Sequence, residues 1–565
     1  MRLDQPADAA AAVNQLADRF WDAVLQQLPS VATMYGDERW DDRLEDPGPV
    51  GRAAARALRE ATLAELAAIP VDLLPAEERI TADMLGLACR LGIAQDDARF
   101  DLVAGSVDQI DGPQARLPQV LQFQRADTPE RLDRLVARIE AFPAFIDAHL
   151  GLLADGLRTG ITAPRVVAER TIDQVERMLA LPPERHPVAV IPRLADEAGR
   201  ARLVRAAGQI VNPALGRYLA ALRGDYLAAT RPVPGICSAP GGDELYRLAI
   251  RSWTSLDLDP AEVHRVGLED LEAIAVEQRA LAGAAGFGDD VAAYRAALGA
   301  DPAQQSATKE ELAERALALI ERAMAQAPRW FGRLPRAGCE VRPEEPALER
   351  EAPPARYAPP TVDGSRPGIY FVNTYDLPTR VAWRLAAMTF HEAVPGHHFQ
   401  IALEMEQEAL PTFRRLGSRM LGSAYVEGWA LYTERLADEM GLYRSPAERL
   451  GMLDAQAWRA ARLVVDSGVH AFGRSREWAA GLLRDTGLSD TDAGIETDRY
   501  IVWPGQALTY RTGQREIERL RAQLAARDGA AFDLRAFHDA VLAHGSVPLA
   551  TLARELPGWV RPASA

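Results

Sequence analysis

Apolar residues recur every three or four positions along most of the chain between residue 8 and about residue 335. The segment 132–142, Leu-Asp-Arg-Leu-Val-Ala-Arg-Ile-Glu-Ala-Phe, is typical of this pattern and predicts an amphipathic helix. Proline and glycine interrupt the pattern at short intervals, and Asp259 followed by Pro260 indicates a helix start. We find no repeat of fixed period, so the region predicts a non-repetitive assembly of helices rather than a solenoid.

The pattern changes between residues 337 and 380. Proline is frequent there, and two short pieces, 339–341 and 368–373, are rich in the residue types that strands prefer. The second piece, Gly-Ile-Tyr-Phe-Val-Asn, predicts a strand shortly before the helical pattern returns at residue 381. We therefore predict one mostly α-helical domain over 1–565. It consists of a helical wall (1–336), a proline-rich region with a strand (337–380) and a final set of helices (381–565).

Composition narrows the class of protein. Hydrophobic residues make up 48% and charged residues 25% of the chain, as in ordinary globular proteins. The formal net charge of −16 disfavours nucleic acid and anionic membranes as partners, and no apolar run approaches the roughly 20 residues of a membrane span. Three widely separated cysteines do not form a disulfide framework, and the N-terminus lacks the pattern of a signal peptide. These features predict a cytoplasmic protein.

Candidate chemistry is concentrated in the stretch 389–400, Thr-Phe-His-Glu-Ala-Val-Pro-Gly-His-His-Phe-Gln. Three of the nine histidines of the chain lie there, and Glu392 directly follows the first of them, His391. An apolar helical segment, 381–390, precedes the motif. A His-Glu pair at the end of such a helix, with another histidine soon after, is typical of zinc hydrolases. In those enzymes the histidines bind the metal and the glutamate acts on its water ligand.

The second histidine does not have the usual spacing. In H-E-x-x-H the two histidines are four residues apart and share a helix face, whereas His397 follows His391 by six residues, about 600° of rotation. His398 returns to the same face but lies roughly 10 Å further along the axis, a long reach for a shared metal. Pro395 lacks an N–H group and clashes with the carbonyl of residue 391, so the helix must bulge or break there. We therefore predict His391 and His397 as ligands and keep His398 as the alternate.

The third ligand is predicted in the segment 423–434, Ser-Ala-Tyr-Val-Glu-Gly-Trp-Ala-Leu-Tyr-Thr-Glu. Glu427 and Glu434 are seven residues apart on one helix face, among apolar neighbours where an unpaired glutamate is costly to bury. Gly428 costs about 1 kcal/mol in a helix and makes sense where another group approaches closely. Glu427 is the predicted ligand of a His₂Glu site, and Glu434 is a candidate alternate ligand or outer contact. Two solvent-facing glutamates are the competing interpretation.

Together, the motifs His391-Glu-Ala-Val-Pro-Gly-His397 and Glu427-Gly-Trp-Ala-Leu-Tyr-Thr-Glu434 resemble those of the bacterial domain-of-unknown-function 885 family. The likeness covers nearly the whole chain. That family is similar to the gluzincin metallopeptidases, whose third ligand is a glutamate on a following helix, and more distantly to angiotensin-converting enzyme. The resemblance implies one zinc ion in a large helical metallopeptidase-like fold, with a deep cleft and a small β-sheet next to the metal helix.

The resemblance also implies a substrate-binding strand. In gluzincins a strand beside the metal helix binds the substrate backbone by strand addition, which needs free N–H and C=O groups. Tyr370 and Asn373, in the predicted strand, are therefore candidates for contact with substrate. Ordinary packing of a small sheet on helices is the alternative for both side chains.

A later segment, 498–502, is similar to one in the angiotensin-converting enzyme family whose tyrosine points at the oxyanion. The resemblance makes Tyr500 a candidate catalytic residue and Arg499 a candidate substrate contact. Gln506 and Tyr510 match the pattern of the 885 family and are candidates for the same surface. A tyrosine packed in the core is the alternative for Tyr500.

A polar stripe lies on the otherwise apolar segment 457–470. Arg462, Asp466 and His470 are spaced by four residues and so share a face. Asp466 is a candidate to hold the outer N–H group of a zinc-binding histidine, and His470 is a candidate to stabilise the transition state. An internal Arg–Asp pair with a histidine at the helix end is the structural alternative.

The predicted function is a zinc-dependent hydrolase of short peptides. Glu392 would take a proton from the attacking water and deliver it to the leaving amine. Exopeptidase action, with a carboxypeptidase-like form, is the leading hypothesis, and the candidate carboxylate anchors are Arg380, Arg499, Arg511 and Arg515. One alternative is a zinc amidohydrolase that acts on a small non-peptide amide or ester. The other is a catalytically inactive protein in which His398 closes a structural zinc site as fourth ligand.

Overall fold

The computed structural model describes residues 5–103, 105–191, 194, 197–344, 349, 352–421 and 423–560. Helices account for most of these residues, which confirms the predicted mostly α-helical class. The chain divides into two compact units, one formed by residues 1–245 with 501–503 and the other by residues 246–500 with 504–565. That the whole chain is one domain stays a prediction.

Ten of the described helices lie in the first unit. The predicted helix at 132–142 forms there, where Thr128 accepts a hydrogen bond from the backbone N–H of Arg131 and caps the start of the sixth helix. This helix buries one apolar face, and the following helix begins directly after it. Helices α1 to α10 span Pro6–Gln27, Pro29–Met34, Pro49–Ala67, Ala76–Asp97, Pro113–Leu121, Pro129–Glu140, Phe142–Thr159, Arg165–Leu179, Glu197–Ala206 and Asn212–Ala221.

Thirteen further helices follow in the described part of the chain. Asp259 caps the second of them, since its Oδ1 accepts hydrogen bonds from the backbone N–H groups of Ala261 and Glu262, which confirms the predicted helix start. Helices α11 to α23 span Gly242–Thr254, Pro260–Ala284, Val291–Ala300, Lys309–Trp330, Ala382–Glu392, His397–Met405, Ala424–Glu439, Pro446–His470, Arg476–Asp485, Asp490–Val502, Thr509–Asp528, Leu534–Leu542 and Leu549–Trp559.

A three-stranded sheet occupies the proline-rich region. Strand β1 (Cys339–Pro343) and strand β3 (Gly368–Val372) coincide with the two predicted pieces, and β2 (Ala355–Ala358) lies between them in the chain. The order is β1-β3-β2, with β1 parallel and β2 antiparallel to β3. Because β3 is the central strand, its N–H and C=O groups already pair with both neighbours. The expectation that β3 binds a substrate by strand addition is therefore wrong.

Helix α18, in the second unit, is buried along most of its length. All its residues from Leu450 to His470 are buried, and it packs against α12 and α15. A helix buried on every side carries polar residues only where other groups meet them. The polar side chains of α18 are therefore part of the internal structure of this unit.

Helices α17 and α21 make the closest backbone contact around the candidate ligands. A Cβ atom added at Gly428 would lie 2.4 Å from the Cα of Gly513, and one added at Gly513 would lie 1.8 Å from the carbonyl oxygen of Ala424. The close approach predicted at Gly428 is thus made by the backbone of another helix. This contact fixes the position of Glu427, the residue directly before Gly428.

Within the described ranges, none of the helices combines the length and the apolar character that a bilayer span requires.

Replacing Gly428 by alanine should destabilise the protein by about 3 kcal/mol or more, because the new methyl group meets the backbone of α21. Gly481, in α19, is the matched control, since a Cβ atom there meets only the flexible end of Arg484 at 3.8 Å. Gly481→Ala should stay within about 1 kcal/mol of the wild type. Urea unfolding followed by circular dichroism measures both, and equal stability of the two variants would contradict the close helix contact.

Candidate metal centre

The helix break predicted at Pro395 is present. Helix α15 ends at Glu392 and α16 begins at His397, with Ala393 and Gly396 in non-helical conformations. A Cβ atom at Gly396 would lie 1.9 Å from the carbonyl oxygen of His391, so the tight reversal needs glycine there. The indole N–H of Trp429 donates a hydrogen bond of 3.0 Å to the carbonyl oxygen of Pro395. The break therefore returns His397 to the end of α15, next to His391.

Three potential ligand atoms converge at this point. The Oε2 atom of Glu427 lies 3.6 Å from Nε2 of His391 and 3.3 Å from Nε2 of His397. One ligand atom from each of the three residues fits within 4.8 Å of the others. Donors at about 2.0–2.1 Å from a tetrahedral zinc are about 3.3 Å apart, so the arrangement fits the ion. The predicted set of His391, His397 and Glu427 is thus brought together.

The electrostatics of the cluster favour a cation. The Oε2 atom of Glu427 is buried and has no hydrogen-bond partner in the described structure. Burial by itself raises the pKa of Glu427, but His397 and His391 outweigh it and hold the pKa well below its usual value. Burial lowers the pKa of His391, whereas Glu427 and Glu434 together raise it to about 9. A metal ion would take the place of the protons that this cluster attracts.

Glu434 holds the other nitrogen of the first histidine. Its Oε1 atom lies 2.9 Å from Nδ1 of His391, and its side chain is fully buried. With the proton of the ring on Nδ1, the lone pair of Nε2 faces the cluster. Gln456 donates a hydrogen bond of 3.0 Å to Oε2 of Glu434, and a guanidinium nitrogen of Arg459 lies 3.7 Å from Oε1. The outer contact proposed for Glu434 is therefore present.

Two other predicted contacts of the metal ligands are wrong. His398 is not an alternate ligand, because Nδ1 lies 3.0 Å from the hydroxyl of Tyr357 and Nε2 lies 3.0 Å from the carbonyl oxygen of Ala337. Asp466 does not hold a ligand histidine. It accepts hydrogen bonds from the hydroxyl of Tyr246 at 2.6 Å and from the backbone N–H of Gly505 at 3.1 Å.

Glu392 is buried beside the cluster, with 7% of its surface exposed. Burial raises the pKa of Tyr370 and of Cys339, and the charge of Glu392 adds to both increases. A largely buried glutamate directly after a candidate metal ligand is a candidate functional group.

Of the two candidate tyrosines, Tyr510 is the one that lies against a ligand. Its ring stacks on that of His391, with centroids 6.2 Å apart and an interplanar angle of 20°. The guanidinium of Arg499 donates 3.1 Å hydrogen bonds to the hydroxyl of Tyr510 and to the side-chain oxygen of Gln506. Arg499, Gln506 and Tyr510 therefore form one polar group beside the cluster.

Tyr500 is fully enclosed instead. Its hydroxyl accepts hydrogen bonds from the indole of Trp458 at 2.9 Å and from Nε of Arg462 at 2.6 Å. Burial raises its pKa, and Arg462 offsets only part of that rise. The Nε2 atom of His470 lies 2.8 Å from the main-chain oxygen of Tyr500. His470 thus holds the backbone of α20, a different contact from the transition-state contact predicted for it.

Tyr370 and Asn373, in or next to strand β3, were the predicted substrate contacts. Asn373 donates its amide hydrogens to the carbonyl oxygens of Glu349, Ala352 and Pro353, which leaves little for a substrate. The hydroxyl of Tyr370 lies 3.4 Å from that of Thr389. Both side chains nevertheless line a pocket beside α15.

Sequence reasoning missed Gln456, Trp458 and Arg459. All three lie on α18, and Gln456 and Arg459 contact Glu434 directly. The sequence did contain a signal for two of them. Gln456 and Arg459 are polar residues in a mostly apolar helical segment, and they precede Arg462.

The fold and the site define the class of this protein: it is mostly helical and carries a His-His-Glu cluster at a helix break. The family model described as "Bacterial protein of unknown function (DUF885)" matches residues 29–556, and the chain belongs to this family. A comparison with curated proteins gives no match.

The solved structures that are similar to this chain include two lipoprotein structures. "The putative lipoprotein from Colwellia psychrerythraea" is 28% identical, with a TM-score of 0.89, over 98% of this chain and 99% of that chain. "A putative lipoprotein of unknown function from Shewanella oneidensis" is 21% identical, with a TM-score of 0.73, over 96% and 99%. The second likeness shows the fold alone.

Buried Asp466 should make stability depend on pH. Burial raises its pKa to about 7, although hydrogen bonds from Tyr246 and Gly505 lower it in part. The folded state therefore holds a proton that the unfolded state has lost between pH 4 and 7, and stability falls as the pH rises through this range. The free energy of unfolding of the wild type, minus that of Asp466→Asn, should be about 3 kcal/mol smaller at pH 8 than at pH 5.

Urea unfolding at both pH values measures this difference. Asp257, whose side chain is 80% exposed, is the control, and Asp257→Asn should follow the wild type at both pH values within about 0.5 kcal/mol. A difference between wild type and Asp466→Asn that does not change with pH would show that Asp466 is ionised in the folded protein throughout.

Proposed function

We propose that this protein is a zinc-dependent hydrolase that cleaves short peptides. The observation that carries the proposal is the convergence of His391, His397 and Glu427, with the buried Glu392 directly after the first of these ligands in the chain. This His₂Glu set with an adjacent glutamate resembles the gluzincin metallopeptidases. Because His398 is held by Tyr357 and Ala337, it does not close the set as a fourth ligand, which favours a catalytic over a structural zinc.

His391, His397 and Glu427 would hold the ion. Bound zinc supplies Lewis acidity, which acidifies water and polarises a substrate carbonyl. Glu392 accepts a proton as water attacks the carbonyl carbon and passes it to the nitrogen of the leaving amine, so the C–N bond breaks and the amine departs neutral. Glu434 keeps the ring of His391 oriented and its proton on Nδ1 throughout.

Tyr510 is the residue that we propose as donor to the developing oxyanion. Its ring lies against His391, and its hydroxyl accepts a hydrogen bond from Arg499, so the hydroxyl hydrogen is directed away from that guanidinium. Tyr500 was the sequence-based candidate for this role, but its hydroxyl is surrounded by Trp458 and Arg462. In this arrangement Tyr500, Arg462 and His470 fix the position of α20 and with it Arg499.

The same residues suit a small non-peptide amide or ester, and the substrate class is therefore part of the test below.

A cytoplasmic location is a proposal as well, and the three described cysteines are free thiols, as in a reducing compartment. The lipoprotein names belong to the two similar structures. Cell fractionation distinguishes a cytoplasmic from a membrane-attached protein.

Zinc binding should depend on Glu427 and on Glu434. Glu427→Ala removes a ligand and should lose bound zinc, whereas Glu434→Gln removes the acceptor that orients His391 and should weaken zinc binding about 10–100-fold. Glu439→Gln, an exposed change on the same helix, should leave the affinity unchanged. Mass spectrometry of the native proteins and competition with a chelator measure these values.

Glu392→Gln tests the reaction itself. This variant should keep stoichiometric zinc and lose about 10²–10⁴-fold in the rate of cleavage of a short-peptide library, since the proton acceptor is gone. Peptides with free and amidated C-termini in the library separate carboxypeptidase action from other cleavage, and small amides and esters test the second substrate class. Folded wild type without zinc, or Glu392→Gln with full activity, would refute the proposal.

Replacing each tyrosine by phenylalanine separates their roles. Tyr510→Phe should lower kcat about 10²-fold with little change in KM, because an oxyanion donor acts only in the transition state. Tyr500→Phe should have a smaller effect on kcat and a larger one on stability, because it removes an acceptor for two buried donors. The reverse order would assign the oxyanion contact to Tyr500.

A further inference from the structure

A second feature of the metal-binding unit is a pocket along helix α15. Its empty space is about 740 Å³, a figure that includes space open to solvent. Its apolar wall is formed chiefly by Leu385 and Met388 of α15, by Trp458 of α18 and by Val372 of β3. A pocket with this apolar wall and a few charged groups suits an amphipathic ligand.

The pocket lies beside the candidate metal centre. Glu392 follows Met388 by four residues and Leu385 by seven, so these three residues share one face of α15. Arg459 lines the pocket, and its guanidinium lies 3.7 Å from Glu434, which holds His391. A ligand in the pocket would therefore lie along the same helix face that ends at the proposed proton acceptor.

The charged groups in the wall leave an excess of positive charge. Three arginines line the pocket together with two aspartates, Asp454 and Asp492. Asp454 already accepts hydrogen bonds of 2.6 Å from Arg295, outside the wall, and of 2.8 Å from Gln278. Asp492 lies 3.5 Å from Arg380 and accepts hydrogen bonds from Ser489. Asp454 also lies 3.4 Å from Arg384, and Glu434 lies 3.7 Å from Arg459. With Arg295 counted against these three carboxylates, about one positive charge remains at the pocket.

Two of the arginines have unused donors. The Nε atoms of Arg384 and Arg459 are buried and have no hydrogen-bond partner in the described structure. Arg459 is only 2% exposed, and its other contacts are long, at 3.5 Å to the carbonyl oxygen of Ala455 and 3.8 Å to the sulfur of Met388. Buried guanidinium donors without acceptors are costly, and a carboxylate is the group that matches their geometry.

We propose that this pocket binds a monoanionic carboxylic acid that carries a bulky apolar or aromatic group. The carboxylate faces Arg384 and Arg459, and the apolar group packs against Leu385, Met388 and Trp458. The small excess of charge and the apolar wall favour a monoanion over a phosphate. If the ligand is the C-terminal residue of a peptide substrate, the pocket sets a preference for large apolar termini, and this link rests on the proposed hydrolytic function.

The probes are 3-phenylpropanoic acid and 3-phenylpropan-1-ol, which share the apolar group and contain no bond that the proposed reaction cleaves. Isothermal titration calorimetry on full-length protein, both zinc-loaded and chelator-treated, should show the acid binding at least about tenfold tighter than the alcohol. Arg384→Gln should remove this preference without a change in zinc content. Arg336→Gln, an exposed arginine outside the pocket, is the control, and Ala455→Phe should fill the pocket and abolish binding of both probes.

Equal affinity for acid and alcohol, or a preference that persists in Arg384→Gln or disappears with the zinc, would overturn the proposal. The last outcome would mean that the acid binds the metal rather than the pocket. The peptide assay of Glu392→Gln is independent of these measurements. A preference for the acid in a protein that cleaves no peptide would support the binding site and overturn only its link to a substrate.

Discussion

The candidate centre depends on placing one largely buried carboxylate between two imidazoles. The Oε2 atom of Glu427 lies 3.6 Å from Nε2 of His391 and 3.3 Å from Nε2 of His397, and it has no hydrogen-bond partner in the described structure. An isolated buried carboxylate costs several kcal/mol, so this position is tolerable only with positive charge nearby. Three backbone features secure the arrangement: the end of α15, the tight loop at Gly396 and the close contact of α17 with α21.

Helix α18 supplies the compensation behind the ligands. Gln456 donates to Glu434 and in turn accepts a 2.9 Å hydrogen bond from Gln514, which extends the network into α21. On the same helix, Arg462 pairs with buried Glu496 at 3.1 Å. Buried polar networks of this kind favour a single arrangement of the helices that they connect. The polar residues of α18 thus keep α15, α17 and α20 in register, and this explains why a helix buried along this length is not simply apolar.

Local rules made part of this site predictable from the sequence. Pro395 ends a helix because it lacks an N–H group, and this rule predicted His397 as a ligand. A glycine within a helix indicates a close neighbour, and this rule predicted the contact at Gly428. The partners of the buried polar groups did not follow, because they come from distant segments. Asp466 meets Tyr246, 220 residues away, and His398 meets Tyr357 and Ala337. Strand β3 is central only because β2, a piece with a weak pattern, pairs with it.

The consecutive positions of His391 and Glu392 unite the metal centre and the pocket. Adjacent residues on a helix point about 100° apart, so the two side chains face different surroundings. His391 faces α17, where Glu427 and Glu434 approach its two nitrogens. Glu392 lies on the face that carries Leu385 and Met388 along the pocket wall. One helix end can therefore hold a metal ligand and aim a proton acceptor at a molecule in the pocket, and Arg459, which contacts Glu434 and lines the pocket, connects the two surroundings.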